Sequence, residues 1–402
     1  MWILSASVWL LAFGWLWQLV QWIRCFPRIS DLHRVVPDQQ LDLTSGSSKV
    51  PYLTVIVPAC NEEASIGACL RSLLASEGLL LQIIAIDDRS ADATGSIMDK
   101  IRATVDSDRS AKAPGHIFEV LHVRELPAGW LGKPHALATG AGLAKADWIL
   151  FTDGDVIFAP ETLELALRWA KAEKADHLVL MPHWVNESHG EAAMHGAMHA
   201  LTTWTFRPWR VADPEAKDFI GVGAFNLFRR SVYEELGGFS SLRMEVIEDL
   251  RLGWKLKRAG YRQRFALGEG LAAVRWSHGA WGVVRNLEKN LFALYRYNVG
   301  LTILVSIGLA IQIVLPVVAL TAGGVACAGA LALYGSVAGI YIVSRNVTRV
   351  NALYVLVYPF ALSLFLFALL RSMTLALVRG GVVWRGTRYS LKELRAHAGR
   401  FW

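Results

Sequence analysis

The chain has 402 residues, 53% of them hydrophobic and 19% charged, with a formal net charge of +7. The apolar share exceeds the roughly 45–50% usual for globular domains, and the surplus lies at the two ends, which argues against a wholly soluble chain and for a membrane protein with a soluble middle. The basic residues flank apolar segments and form no single stripe, so the charge favours an anionic membrane surface and disfavours nucleic acid as a partner. Cys25, Cys60, Cys69 and Cys327 show no paired spacing, which points to reduced thiols in a cytosolic compartment and to no disulfide framework.

Trp2–Ile23 is apolar apart from Ser5, Ser7, Gln18 and Gln21, close to the ~20 residues that span a bilayer. Trp15, Trp17 and Trp22 crowd its second half, and Arg24, Arg28 and Arg34 follow it. A signal peptide carries its positive charge before the apolar core and a small-residue cleavage site after it. The reverse bias here predicts an uncleaved anchor over residues 1–23, with its N-terminus outside and the following residues in the cytoplasm. Residues 24–50 read as a linker, polar over 38–50.

A catalytic domain is expected over residues 51–297. Leu53–Val57 is a β-branched strand ending at Pro58; Asn61 then serves as N-cap of a helix with Ile66, Leu70, Leu73 and Leu74 on one face. Ile83–Ile86, Val120–Val123 and Trp148–Phe151 read as further strands, separated by helices. This alternation predicts an α/β domain built on a mostly parallel sheet. The strand ends bring Asn61, Glu62, Asp87, Asp88, Asp153 and Asp155 to one sheet edge, where open α/β sheets bind ligands. Hard divalent cations take carboxylate oxygens and complete their shell with water and phosphate. Asp153-Gly154-Asp155 therefore reads as a metal–diphosphate site or, alone, as a polar turn; the company of other acidic strand ends favours the site. Lys133, in a loop with Gly129 and Gly132 that lacks the Walker spacing, is a phosphate-approach residue or a surface lysine.

Further on, His195 and His199 are four apart and share a helical face. No His-Glu-x-x-His accompanies them, and the region His183–Trp209 reads as a helix at the membrane interface in preference to a zinc site. Gly221 and Gly223 would let backbone approach a bulky ligand. Tyr233–Phe239 contains a short helix ending at glycine. Glu248 and Asp249 open another helix, either as first-turn carboxylates favoured by the helix dipole or as a general base aimed at the metal site.

Residues 298–378 form a C-terminal membrane domain: two apolar helices over Val299–Val343, interrupted near Pro316 and Gly323-Gly324, and a third segment over Ala352–Val378 that contains Arg371. The tail, 379–402, is basic. Three crossings from a cytoplasmic domain would carry this tail outside, against the positive-inside rule, so one apolar segment is expected not to cross.

The ordered motifs Val57-Pro58-x-x-Asn61-Glu62, Asp87-Asp88-x-Ser90, Gly132-Lys133, Asp153-x-Asp155, Gly221-x-Gly223-Ala224 and Glu248-Asp249 resemble those of membrane-anchored family 2 glycosyltransferases. The resemblance is nearest to the lipid-glycosylating branch related to ceramide glucosyltransferases and to hopanoid- and carotenoid-associated enzymes. It covers roughly residues 50–300 and the membrane layout, and it implies the GT-A fold, a Rossmann-like nucleotide-diphospho-sugar transferase domain. It further implies that Asn61, Glu62, Asp87 and Asp88 serve the nucleotide and Lys133 the base or diphosphate. Asp153 and Asp155 would hold a divalent metal, magnesium or manganese, with Asp155 the direct ligand, and Asp249 would be the catalytic base. Glu248, His278 and Arg285 are candidates for acceptor or diphosphate contacts. The sequence departs from the Gln/Arg-x-x-Arg-Trp motif of the polymerising and ceramide-type members: the corresponding stretch is Gly282–Asn290, with Arg285 and Lys289 as candidate replacements for the missing positive charge. Trp384-Arg-Gly-Thr-Arg388-Tyr389 is similar to the tail motif of the lipid-glycosylating members.

The resulting expectation is an inverting transfer of one sugar from a nucleotide-diphosphate sugar, preferably a UDP-sugar, to a membrane lipid at the cytoplasmic face of the cell inner membrane or its equivalent. A processive polysaccharide synthase and a non-catalytic membrane scaffold that retains the fold are the alternatives.

Overall fold

A computed structural model describes residues 1–34, 52–109 and 116–399. The polar linker expected over 38–50 lies outside the described residues. From the N-terminus the chain forms α1 (Trp2–Cys25), β1 (Ser30–Asp31), β2 (Leu53–Ala59), α2 (Ile66–Leu74), β3 (Leu81–Asp88), α3 (Thr94–Arg109), β4 (Ile117–Val123) and α4 (Gly132–Ala141). It continues as β5 (Trp148–Phe151), β6 (Val156–Phe158), α5 (Thr162–Ala172), β7 (His177–Trp184), α6 (His189–Thr202), β8 (Asn226–Arg229), α7 (Arg230–Glu235), α8 (Glu248–Arg258) and β9 (Gln263–Val274). The last part comprises α9 (Gly279–Leu294), α10 (Val299–Ala322), α11 (Gly324–Val343), α12 (Arg345–Thr348), α13 (Tyr358–Val378), β10 (Gly381–Trp384), β11 (Thr387–Ser390) and α14 (Leu391–His397). Two compact units result, one of residues 30–183 and 210–274, the other of Met1–Ile29, Trp184–Trp209 and Arg275–Arg400.

The first unit is built on a nine-stranded sheet of order β1-β9-β7-β8-β5-β2-β3-β4, with β6 paired to β9. Strands β4, β3, β2 and β5 are mutually parallel. β2 and β5 are buried along their whole length and β3 nearly so, which is why they read as unbroken apolar runs. Strand β8 lies antiparallel to both β5 and β7, so the sheet is mixed. β2 has β3 on one side and β5 on the other, a reversal of strand order of the kind that opens a crevice at the carboxyl ends. Pairing between β2 and β5 stops at Ile56, which leaves Pro58 on a strand with an unpaired side, the setting in which strands tolerate proline.

The other unit gathers the apolar helices. Among the described residues four helices are long and apolar enough to cross a membrane: Trp2–Arg28, Val299–Ala322, Gly324–Val343 and Ala352–Val378. Their outer faces carry exposed Leu10, Phe13, Val314, Leu331 and Phe360. Their inner faces, with Trp15, Leu333, Tyr341, Tyr358 and Leu362, form one core with Met194 and Ala197 of α6 and Val283 and Leu287 of α9. That shared core explains why 184–209 and 275–294 leave the sheet unit, although both fall inside the stretch read as the catalytic domain. Close approach of α1 to α11 depends on Gly329 and Gly339, where a Cβ would come within 2.9 Å of Val8 and 2.8 Å of Leu19. Arg371 is not left in lipid: its guanidinium lies 3.0 Å from Glu288 Oε2. The tail folds as a β10–β11 hairpin whose turn residues, Arg385 and Gly386, both have positive φ, as a two-residue hairpin loop requires.

The His195/His199 pair lies on α6 as its spacing predicts: His195 Nδ1 is 2.7 Å from Asn186 Oδ1, and His199 packs edge-on against Trp22 and Trp184. At the start of the same helix, Ser188 and Glu191 form a reciprocal capping box. The fully buried Glu191 carboxylate also accepts from Gly279 N–H at 2.6 Å and pairs with Arg275 at 3.0 Å. These donors outweigh the cost of burial and hold Glu191 down at about 2. A carboxylate depressed on folding stabilises above its unfolded value near 4.5, and that contribution disappears as pH falls toward 2. Glu191→Gln is expected to cost about 3 kcal/mol, read as a lower melting temperature in detergent at pH 7 and a smaller difference from the parent at pH 3.

Candidate active site

The carboxyl ends of β2, β3 and β5 deliver the predicted polar residues to one edge of the sheet unit. After β2 the backbone turns through Asn61, and after β3 through Arg89, with φ of 57° and 59°. The Asn61 N–H donates to Ser90 Oγ at 3.0 Å, and its Oδ1 accepts from Ala91 N–H at 2.8 Å. Glu62 N–H donates to Thr94 Oγ1 at 2.8 Å. Asn61 is therefore not the helix cap the sequence suggests; α2 starts only at Ile66, and Asn61 takes the left-handed turn that asparagine tolerates, knitting the two loops into one ledge. Asp87 on this ledge is held by His122 Nδ1 at 3.0 Å and Ser90 N–H at 3.1 Å. Asp88 is buried beside the first residue of α4, pairs with Arg89 at 2.9 Å, and would collide with a Cβ at Gly132.

Lys133, in the first turn of α4, enters the centre of the site. Its ammonium lies 2.7 Å from Asp153 Oδ1 and 3.0 Å from Glu248 Oε1. Burial alone would depress it, but Asp153, then Glu248 and Asp249, outweigh burial and hold it above the ordinary lysine value. Of the two readings of Lys133, the surface lysine is set aside: its side chain is only 14% exposed. Glu248 is buried, whereas Asp249 is half-buried with Oδ1 accepting from Leu250 N–H at 2.7 Å. Burial, and next the negative charge of Glu248, push Asp249 up to about 6.

Asp155 differs from its neighbours. Burial first, then Asp153 and Glu62, raise it to about 7, and its buried Oδ1 meets no hydrogen-bond donor among the described residues. A desolvated carboxylate oxygen without a donor, beside a second carboxylate, fits a divalent cation that draws its other ligands from water and phosphate. Among the described residues no three His, Cys, Asp or Glu side chains form a closed metal cage, so the fit is to an open site. Beneath the loop, Cys69 Sγ faces the Asp153 carbonyl oxygen at 3.7 Å, and burial followed by the charges of Asp155 and its neighbours pushes the thiol well above its usual range.

Gly221 and Gly223, read from sequence as making room for a ligand, make room for the site itself. A Cβ at Gly221 would collide with the Asp249 carbonyl, and one at Gly223 would stand 2.5 Å from Asp153 Oδ2 and 3.0 Å from Lys133 Nζ. This segment is fixed from behind by polar residues the sequence reading passed over. Gln263 accepts from Ile220 N–H at 2.9 Å and donates to Ile220 O at 2.8 Å. It also meets His177 Nδ1 at 2.7 Å, while His177 Nε2 meets Asn226 Oδ1 at 2.8 Å. Burial depresses His177 to about 4, so it is neutral. A histidine and a glutamine in apolar strands were the available signal, since buried polar groups must find partners. His278 and Arg285 belong to the unit of apolar helices: the exposed His278 precedes α9 and Arg285 lies on it. A cavity of about 390 Å³ at the amino end of β5, lined by Trp148, Lys171, Arg229 and Arg230, is separate from the carboxylate cluster.

Two substitutions separate the functional from the structural groups. Gly221→Ala is expected to lower stability by at least ~2 kcal/mol, because backbone atoms must move, with a matching loss of melting temperature. Asp155→Asn is expected to abolish manganese-dependent nucleotide binding, measured by titration calorimetry, while leaving the melting temperature unchanged or raised, since it removes an uncompensated buried charge.

Residues 54–237 match the family described as glycosyl transferase family 2. The 4,4'-diaponeurosporenoate glycosyltransferase of Staphylococcus aureus strain MRSA252 is 26% identical to it over 203 residues, 50% of this chain and 50% of the relative. That of strain USA300 is 27% identical over 205 residues with the same shares of 50%. The chain thus spans about half the length of these curated relatives. Among solved structures it is similar to a mannosyltransferase from Pyrobaculum calidifontis in complex with GDP-Man and Mn2+, at 17% identity and a TM-score of 0.48 over 94% of this chain and 98% of the other. It is also similar to S. aureus TarS in complex with UDP, at 17% identity and a TM-score of 0.38 over 61% and 65%.

Proposed function

Starting from the family 2 match over residues 54–237, we propose that the chain is an inverting glycosyltransferase that moves a single sugar from a nucleotide-diphosphate sugar, preferably a UDP-sugar, to a hydroxyl group of a membrane lipid. The observation that carries this reading is the gathering of Asp153, Glu248 and Asp249 around the Lys133 ammonium at the carboxyl edge of the sheet, with Asp155, whose Oδ1 has no donor among the described residues, on the same loop. The names of the curated relatives support sugar transfer as the reaction class. The apolar helices support a lipid acceptor, because a soluble acceptor would not need them. Arg24 in the last turn of α1, with Arg28 and Arg34 after it, supports a cytoplasmic catalytic domain in the inner membrane or its equivalent.

In this proposal Asp155, assisted by Asp153, holds a divalent cation, magnesium or manganese. When bound, that cation offsets the charge that develops on the leaving diphosphate. Lys133 is placed to share in this task, and Asn61, Glu62, Asp87 and Asp88 line the ledge for the nucleotide. Asp249 accepts the proton of the acceptor hydroxyl. The acceptor oxygen bonds to the anomeric carbon as the bond from that carbon to the diphosphate oxygen breaks, and the configuration inverts. Glu248 and the carbonyl-side packing at Gly221 orient Asp249; one base is sufficient, and no covalent sugar–enzyme bond is required.

The test is transfer by the detergent-solubilised chain from a panel of UDP- and GDP-sugars, with manganese and total lipid as acceptor. A single-sugar lipid that disappears in Asp249→Asn is the expected product; long polymers would favour a synthase, and no turnover with no metal-dependent nucleotide binding would leave a scaffold. Because Asp249 must be ionised to act, the rate is expected to rise with pH through about 6 and to fall roughly tenfold per unit below it.

A further inference from the structure

Apart from the carboxylate cluster, the ledge formed by the loops after β2 and β3 is tied to the outside of the sheet unit through one histidine. β4 pairs in parallel with β3, with His122 opposite Asp87, so the two side chains leave the same face of the sheet. The first turn of α3 comes down on this pair at Gly95, where a Cβ would stand 2.6 Å from Asp87 Oδ2 and 3.2 Å from His122 Cε1. One turn further along α3, Asp99 closes the other side of the ring. His122 Nδ1 is 3.0 Å from Asp87 Oδ2, and Nε2 is 3.2 Å from Asp99 Oδ2. An ionised carboxylate only accepts hydrogen bonds, so both contacts are satisfied together only when both ring nitrogens carry protons. The geometry calls for an imidazolium. The charged groups that face it are Asp87 from β3 and Asp99 from α3, with Arg102 of α3 paired to Asp99 at 3.2 Å. The hydrogen bond to Asp87 raises His122 above the ordinary histidine value of 6.5; burial opposes the rise and Asp99 adds to it.

The other oxygen of Asp87 leads into the ledge. Asp87 Oδ1 accepts from Ser90 N–H at 3.1 Å, Ser90 Oγ accepts from Asn61 N–H at 3.0 Å, and Asn61 Oδ1 accepts from Ala91 N–H at 2.8 Å. These bonds brace two loops that each pass through a left-handed residue, Asn61 and Arg89. Residues other than glycine keep that conformation only where the surrounding contacts over-determine it. We propose that His122 is a positioning residue for the nucleotide: as an imidazolium clamped between Asp87 and Asp99, it fixes the Asp87 carboxylate and, through Ser90, the shape of the ledge. This role rests on the reading of the ledge as the nucleotide site. When His122 loses a proton, one nitrogen turns a lone pair toward a carboxylate. Water replaces the contact with Asp99, whose side chain is 42% exposed, while Asp87, 13% exposed, keeps the remaining N–H. The clamp then loses its charge and its outer anchor, and nucleotide affinity falls as pH rises through the His122 value.

The experiment uses the full chain in a nonionic detergent. Binding of UDP and of GDP, each with manganese, is measured by titration calorimetry across the range from weakly acidic to alkaline pH, for the parent, His122→Gln and Asp99→Asn. The readout is the ratio of variant to parent dissociation constants, in which the titrations of Asp155 and Asp249 cancel. His122→Gln keeps a donor for one acid and cannot titrate. It is expected to bind about tenfold more weakly than the parent at weakly acidic pH and within about twofold of it at alkaline pH. Asp99→Asn retains the contact with Asp87 and is expected to move the loss of affinity to lower pH by about one unit. Without nucleotide, the parent is expected to melt above His122→Gln at weakly acidic pH and to lose that advantage as pH rises, the sign for a group raised on folding. A His122→Gln ratio that does not change with pH, or a midpoint that Asp99→Asn does not move, would overturn the positioning role. No binding of UDP or GDP by the parent at any pH would instead overturn the nucleotide reading of the ledge, and the role of His122 with it.

Discussion

Carboxylates crowded at one end of a buried sheet repel each other, and the Lys133 ammonium is the charge that allows Asp153, Glu248 and Asp249 to share that space. Much of the sheet unit serves this contact. The first turn of α4 carries the lysine inward, and the first turn of α8 carries Glu248 and Asp249 to meet it. The 220–223 segment lies so close that a Cβ at Gly221 would collide with the Asp249 carbonyl and one at Gly223 would displace the Asp153 carboxylate from beside Lys133. Behind it, the neutral His177, with Gln263 and Asn226, fixes the backbone without adding charge to a region that already has enough.

The two units treat their carboxylates differently. In the unit of apolar helices Glu191 is capped by backbone N–H groups and Arg275, and Glu288 is shared between two arginines. Such acids are complete, and their work is to lock helices together. Asp155 is half-buried and raised, and its buried Oδ1 has no donor among the described residues. The contrast distinguishes Asp155 from the acids that lock helices, and the metal role proposed for it rests on that difference as much as on its place in an Asp-x-Asp motif.

What the residues disclosed in advance follows from how local each signal is. The apolar runs of β2, β3 and β5 are buried on both faces, so their pattern could be read directly, as could α10 and α11 on either side of Gly323-Gly324. Strands β6, β7, β8 and β9 escaped because their register depends on partners far along the chain, and β9 includes Gly268 and Gly270 within an irregular pattern. The acidic strand ends were legible because strand polarity alone sends them to one edge. The roles of Gly221, Gly223, His177 and Gln263 were not, because each is defined by a contact across tens of residues. Asn61 shows the limit of a local rule: a residue with good capping chemistry was recruited instead by the neighbouring loop.

Cys69 lends itself to a use that its chemistry alone would not suggest. The thiol sits under the Asp153–Asp155 loop, in contact with a carbonyl oxygen of that loop and in a field that disfavours the thiolate. Since only the thiolate reacts readily, an alkylating reagent should reach this sulfur only when α2 and the loop part. Its labelling rate thus reports local opening at the floor of the carboxylate cluster, a clock for the rigidity of that floor, and a bound ligand that tightens the loop would slow the clock without touching the sulfur.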